Sequence, residues 1–337
     1  MFYHYKLFFL LTLMFGSLIS ISSNSWMGMW MGLEINLLAF IPLIQEKNNS
    51  FSIESSLKYF LVQALASMIL LFSLIMLMKK NFIMYNIDNS TMLIFNSMLL
   101  TKMGMPPFHF WFPEVIEGLN WLNCLILLTW QKITPMILVM YNINFQYYTT
   151  MIIASAMIIS GIMGLNQTSL RKIMAYSSIN HMAWMLAAML ISETIWFIYL
   201  IIYVILSINI LMLFKLLNIY YYNQLLISLS NNFPLKFIFA FNFLSLGGLP
   251  PFIGFFPKWL TIQFMLMNNF MFLSIIMVIL TLLTLFYYMR LIYNIYLLIN
   301  KEINFHNNLK FKTQFLILIN LLTLMLLIMF SLSLIFI

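Results

Sequence analysis

Charge is what this sequence of 337 residues has least of: Asp, Glu, Lys and Arg together make up 7% of it, where a soluble domain carries roughly a quarter. Aspartate occurs once, at Asp88, and arginine twice, at Arg171 and Arg290. No aqueous fold is compatible with so little charge. Cysteine is nearly absent as well. The single residue, Cys124, excludes an internal disulfide and falls short of the four thiolates that usually hold an iron–sulfur cluster. There is no Gly-rich phosphate loop, no paired-cysteine motif and no helix with two histidines at metal spacing, so the sequence offers no cofactor site of its own. The formal net charge is +8, yet the basic residues are scattered through loops between apolar runs rather than gathered in one patch, which argues against a nucleic-acid partner.

What fills the sequence instead is apolar, 64% of it. Runs of about twenty such residues, enough to cross roughly 30 Å of hydrocarbon as helix, follow one another along its length. The pattern predicts an all-α polytopic membrane protein of about eleven transmembrane helices, over 4–22, 25–45, 56–78, 91–111, 120–141, 148–165, 172–191, 194–217, 236–262, 270–298 and 314–336. The first run follows a charge, as in a signal peptide, but no small-residue cleavage site succeeds it, and it reads as helix one. With eleven crossings, Lys6, Lys47, Lys58, Arg171, Lys172, Lys215, Lys236, Lys301, Lys310 and Lys312 gather on one face and Lys79 and Lys80 on the other. The positive-inside bias then places the N-terminus inside and the C-terminus outside. Thirty methionines beside abundant Ile, Phe, Asn and Tyr point to AT-rich coding with a reassigned Met codon, and so to a mitochondrial gene.

Two segments 144 residues apart read alike. GMPPFHFWFPE, from Gly104 to Glu114, and GLPPFIGFFPK, from Gly248 to Lys258, agree at six of eleven positions. This predicts a duplicated unit within one transmembrane domain: residues 1–145 as the first repeat, 146–298 as the second, and 299–337 as a loop and C-terminal helix. The two motifs are five helices apart, an odd number, so the second copy enters the bilayer from the opposite side and the five-helix repeats are inverted. Helices broken by Gly and Pro in inverted repeats are a transporter signature, because the break leaves backbone groups that only a polar or water-lined cavity tolerates. The plainer reading is that each Pro-Pro pair ends or kinks a helix near the surface.

Against this scarcity of charge, Glu34, Lys102 and Lys132 fall near the middle of their spans, each about ten residues or roughly 15 Å from either surface. A lysine stem cannot snorkel that far. A lone charge there costs at least about 2.5–3.5 kcal/mol on insertion scales, so these groups must face one another or internal water. Proton transfer would explain the cost. Burial favours the neutral forms of Lys and Glu and a nearby opposite charge restores the ionised ones, so a Glu–Lys contact that opens and closes is a switch. The alternative is a buried ion pair that only locks two helices together. Lys132 has no carboxylate of its own and is the strongest candidate. Lys258 follows the second break; its repeat counterpart is Glu114, while Lys102 is matched by Leu246.

His181, in AYSSINHMAW with Ser177 one turn below it, suits either a relay between lysines or an interior histidine bonded to Ser or a carbonyl. Lys172 reads as an interfacial anchor, and His109 and Glu114 either line an access path or stabilise the first break. Ser155, Ser160, Gly161 and Gly164 read as small-residue helix packing. The whole reading needs ionisable side chains from separate helices to converge on a hydrated axis halfway through the lipid.

KMGMPPFHFWFPE from Lys102, WMGLEINLLAFIPL around Glu34, TWQKITP around Lys132, LRKIMAYSSINHMAW around His181 and GGLPPFIGFFPKW around Lys258 occur in that family's order: the sequence resembles, over essentially its full length, the subunit 2 family of mitochondrial NADH:ubiquinone oxidoreductase, respiratory complex I. It is also similar to membrane subunits of multi-subunit cation/proton antiporters, which is the alternative function without redox chemistry. The resemblance implies a coupling ion pair at Glu34 and Lys102, a central proton-holding lysine at Lys132, a polar axis position at His181 and the second broken helix's lysine at Lys258. It further implies NADH, FMN, iron–sulfur clusters and ubiquinone held by partner subunits, contacts with membrane-arm and accessory subunits and phospholipids, and a mitochondrial inner membrane location with the N-terminus in the matrix. Relative to bacterial members with about fourteen crossings, the chain resembles the animal versions that begin at the fourth helix.

Overall fold

The computed structural model describes residues 2–46, 49–78, 87–142, 146–229, 233–250 and 252–297. Fourteen helices occupy them, and the regular structure outside helices is one bridge between Ser169 and Tyr221. Their contacts divide the chain into two units, Met1–Ile152 and Ile153 onward. Seven helical stretches are long and apolar enough to cross a membrane: His4–Ser22, Trp26–Ile44, Ser50–Met78, Trp121–Met140, Gln146–Leu165, Glu193–Leu217 and Met271–Tyr296.

The first unit holds α1 (Phe2–Ser22), α2 (Trp26–Ile44), α3 (Ser50–Met78), α4 (Ile87–Met103), α5 (Trp111–Gly118), α6 (Trp121–Leu128) and α7 (Trp130–Met140). Small residues let α1 and α2 approach: a Cβ on Gly32 would stand 2.6 Å from the Ser20 nitrogen, the close backbone packing that membrane helices favour. The buried face of α3 is polar, with Ser52, Ser55, Ser56, Tyr59, Gln63, Ser67 and Ser73 along it. Ser55, Ser56, Ser67 and Ser73 each donate to the carbonyl three residues back, which leaves their oxygens free to accept.

α8 (Gln146–Leu165) spans the boundary, and α9 (Leu170–Met189), α10 (Glu193–Leu217), α11 (Tyr222–Leu229), α12 (Phe233–Gly247), α13 (Phe255–Met267) and α14 (Met271–Leu297) follow. Every residue from Ile173 to Met189 of α9 is buried, yet the helix is absent from the seven apolar stretches because it carries Ser177, Ser178, Asn180 and His181. A fully buried polar helix is held by its protein neighbours, not by lipid. Gly164 of α8 accommodates one of them: a Cβ there would meet Tyr287 at 2.8 Å.

Three expected spans are interrupted. The span expected over 91–111 ends as α4 at Met103, so Lys102 occupies the last helical turn beside the break rather than mid-helix. The span expected over 236–262 divides into α12 and α13, and that over 120–141 into α6 and α7 at Thr129. Pro135 has no N–H to donate, and the Thr129 hydroxyl turns back onto the Leu125 carbonyl at 2.7 Å; both weaken the helix there. α11 had no counterpart among the expected spans, and 314–336 lies outside the described residues. Helix bounds recur 144 residues on: α1 at Phe2–Ser22 and α8 at Gln146–Leu165, α2 at Trp26–Ile44 and α9 at Leu170–Met189, α5 beginning at Trp111 and α13 at Phe255.

Candidate functional site

Both broken helices end in the same backbone device. At the end of α4 the Gly104 N–H donates to Thr101 O and the Met105 N–H to Leu100 O, both at 3.0 Å, with Gly104 at φ +75°. At the end of α12 the Gly248 N–H donates to Ser245 O at 3.0 Å and the Leu249 N–H to Leu244 O at 3.3 Å, with Gly248 at φ +77°. This paired closure needs a left-handed residue that glycine adopts without strain.

Terminal carbonyls remain, and side chains take them up. In the first unit the Trp111 indole N–H donates to Thr101 O at 3.1 Å and the Gln63 amide to Lys102 O at 3.3 Å. In the second the Lys258 ammonium donates to Leu246 O at 3.2 Å and Gly247 O at 2.9 Å, a cation at the negative end of the helix.

The ends of these carbonyl-rich breaks carry the ionisable groups. Lys102 and Lys132, from α4 and α7, line one small cavity of about 20 Å³ together with Asn36, Tyr59, Gln63 and Gln131. That is room for about one water molecule. Lys102 Nζ, both side-chain amide atoms of Asn36, Gln131 Nε2 and Thr134 Oγ1 are buried without a hydrogen-bond partner among the described residues. Buried polar atoms are satisfied in native proteins, by water where protein does not serve. Lys132 Nζ lies 4.1 Å above the Phe112 ring, a cation–π contact.

Glu34, on α2, has Oε1 buried with no hydrogen-bond partner among the described residues. The ion pairs among the described residues are Lys6–Glu46, Lys58–Glu54 and Lys58–Glu114, so the expected Glu34–Lys102 pair is not closed in this structure. Lys102 instead turns into the cavity it shares with Lys132.

In the second unit His181 Nδ1 lies 3.0 Å from the Tyr199 hydroxyl, and the Tyr203 ring lies 5.1 Å from the imidazole. A phenol from α10 thus partners Nδ1, and the Ser177 hydroxyl donates to the Met174 carbonyl at 2.8 Å. Trp184, one turn beyond His181 on α9, has Lys258 Nζ over its ring at 5.9 Å. His181 and Lys258 therefore address the same face of α9.

The family model described as the NADH:quinone oxidoreductase/Mrp antiporter membrane region matches residues 23–284. The chain belongs to this family. It is similar to NADH-ubiquinone oxidoreductase chain 2 of Anopheles gambiae, 53% identical over 77% of each chain, and to that of Locusta migratoria, 44% identical over 78% of this chain and 77% of the other. Its fold matches a chain of respiratory complex I from Thermus thermophilus with a TM-score of 0.84 at 21% identity, over 96% of this chain and 78% of that one.

The other flagged residues fall away from the cavity. Glu114 joins Lys58 at 2.8 Å in a half-exposed network with Glu54. His109 is buried within the break, beside the Phe110 ring at 4.4 Å. Lys172 is half-buried in the first turn of α9. Tyr59, Gln63, Tyr199 and Tyr203 escaped the sequence reading, which weighed charges alone. A signal was present: Tyr199 and Tyr203 are four apart, and Tyr59 precedes Tyr203 by 144.

Proposed function

We propose that this chain is a proton-translocating membrane-arm subunit of NADH:ubiquinone oxidoreductase, in which Glu34, Lys102, Lys132, His181 and Lys258 hold and pass protons while quinone reduction occurs elsewhere. Membership of the antiporter-like family and two relatives named as chain 2 of that enzyme support this over a stand-alone cation/proton antiporter. The observation that carries the site assignment is that Lys102 and Lys132 line the same polar cavity. Two ammonium groups sharing about 20 Å³ cannot both stay charged cheaply, so a proton arriving at one favours its release from the other. Glu34 follows Leu33, which lines the same cavity, and biases that balance.

On this reading the chain makes eleven crossings as two inverted five-helix repeats, 1–145 and 146–298, followed by a C-terminal helix. It sits in the mitochondrial inner membrane with its N-terminus in the matrix, among other membrane-arm and accessory subunits and phospholipids. NADH, FMN, iron–sulfur clusters and ubiquinone belong to the partner subunits. Lys132→Met tests the function: the assembled enzyme should reduce quinone but translocate fewer protons per electron, and unchanged translocation overturns the reading. Co-purification with flavin and iron–sulfur proteins tests the assembly, since a small particle lacking redox centres would indicate the antiporter instead.

A further inference from the structure

The surroundings of His181 are built from hydroxyl groups that the charge-based reading did not use. α10 presents Tyr199 and Tyr203 one turn apart on one face, and both meet the imidazole. α14 adds Tyr287 and Tyr288, whose hydroxyls are 3.4 Å apart. The α9 serines Ser177 and Ser178 are buried and donate to the Met174 and Ala175 carbonyls. α13 contributes Lys258, over Trp184. All four tyrosines are buried, and Tyr199 is only 1% exposed.

These hydroxyls have different partners. The Tyr287 hydroxyl donates to that of Tyr288, whereas the Tyr199 hydroxyl meets the imidazole. A neutral imidazole carries its proton on one nitrogen, and the hydrogen bond made by the other nitrogen decides which. For Nε2 to take up a proton, Nδ1 must carry the other, so the Tyr199 oxygen accepts from Nδ1–H, a role open to a phenol. The Tyr203 ring packs against the imidazole, tilted 39° to it.

We infer that Tyr199 is a positioning residue of the proton relay: its hydroxyl engages Nδ1 of His181, fixes the tautomer and orientation of the ring, and confines proton exchange to Nε2. In each passage Nε2 takes up one proton and gives one up, Nδ1 stays bonded to the Tyr199 oxygen, and no net charge remains on the phenol. The inference rests on the reading of His181 as a relay.

A double-mutant cycle in the assembled enzyme in sealed native membranes separates the two claims. Tyr199→Phe removes one oxygen from a buried ring and should lower coupled proton translocation per assembled complex by about tenfold, the low end of what an orienting partner of a working histidine contributes in metal sites. It should also move the pH midpoint of coupled turnover, which a packing defect would not. On a His181→Gln background the same change should have no further effect. Additive losses, or unchanged translocation and pH midpoint in Tyr199→Phe, overturn the inference while leaving His181 as a relay. Normal translocation in His181→Gln alone removes the relay reading and this inference with it. Should Tyr199→Phe not assemble, Tyr199→His, whose unprotonated ring nitrogen can accept from the same Nδ1–H, should assemble and pump; its failure to pump overturns the inference equally.

Discussion

The two broken helices close their backbones alike and satisfy the leftover carbonyls differently. At the first break a neutral amide, Gln63, takes the Lys102 carbonyl, and the Lys102 ammonium turns into the cavity with Lys132. At the second break the matching position is Leu246, and its carbonyl is taken by the Lys258 ammonium. One copy separates structural support from the ionisable group; the other places both in a single lysine. The protonation state of Lys258 is therefore tied to the integrity of its helix end, whereas that of Lys102 is not. A lysine that loses a proton keeps donors for two carbonyls but loses the charge that makes each bond strong.

The contrast is broken most severely by removing the cavity lysines. Lys102→Met and Lys132→Met should each slow coupled translocation by about tenfold or more, a modest share of what positioned proton-transfer groups contribute, with the complex still assembled. Proton uptake per electron in sealed vesicles measures it. The double variant should be no worse than either single one, because the two lysines act on one cavity. Glu34→Gln should act in the same direction and less strongly, because Glu34 does not itself line the cavity.

At the second break the two roles of Lys258 can be separated. Lys258→Arg keeps donors for Leu246 O and Gly247 O but does not release a proton at accessible pH, so translocation should fall while thermal stability holds. Lys258→Met should lose both, with a stability cost of about 1.5–3 kcal/mol for each of the two charge-assisted hydrogen bonds left unmade. Differential scanning of the assembled complex against its proton-to-electron ratio reads the split. If Lys258→Arg pumps normally, Lys258 is a helix cap and not a proton carrier.

The sequence carried the membrane class and the positions of the ionisable groups because the physics of each is local. Twenty apolar residues in a row can only be a membrane or core helix, and Lys102 or Lys132 amid such a run stands out by composition alone. The Gly–Pro–Pro motifs likewise marked both breaks. The pairing of groups was not legible, because it depends on side-chain direction across helices. Whether Lys102 meets Glu34 or Lys132, and whether His181 meets Ser177 or Tyr199, differs by one helical turn of register. Apolar counting also passed over Thr129, where the weakness comes from a hydroxyl and a missing N–H that leave hydropathy unchanged. Tyrosines were invisible for the same reason: along a membrane helix a phenol that packs and a phenol that orients a histidine have the same composition signature.

The smallest expected differences concern the glycines that end α4 and α12, and they sharpen the comparison where both copies look most alike. Gly104→Ala and Gly248→Ala share the strain of a left-handed alanine, about 1–2 kcal/mol. Their neighbours differ. A Cβ on Gly104 would stand 2.9 Å from Phe112 Cβ, close to the chain and unable to yield, so this variant should lower the amount of assembled complex. A Cβ on Gly248 would stand 2.7 Å from Lys258 Cδ and 2.9 Å from its Nζ, and the flexible end of a lysine can swing aside. Doing so withdraws the ammonium from Leu246 O and Gly247 O. Gly248→Ala should therefore assemble better than Gly104→Ala yet translocate fewer protons per assembled complex, measured by native gel yield beside vesicle acidification. Equal yields and equal translocation would mean that the lysine's grip on the second break has no bearing on proton movement.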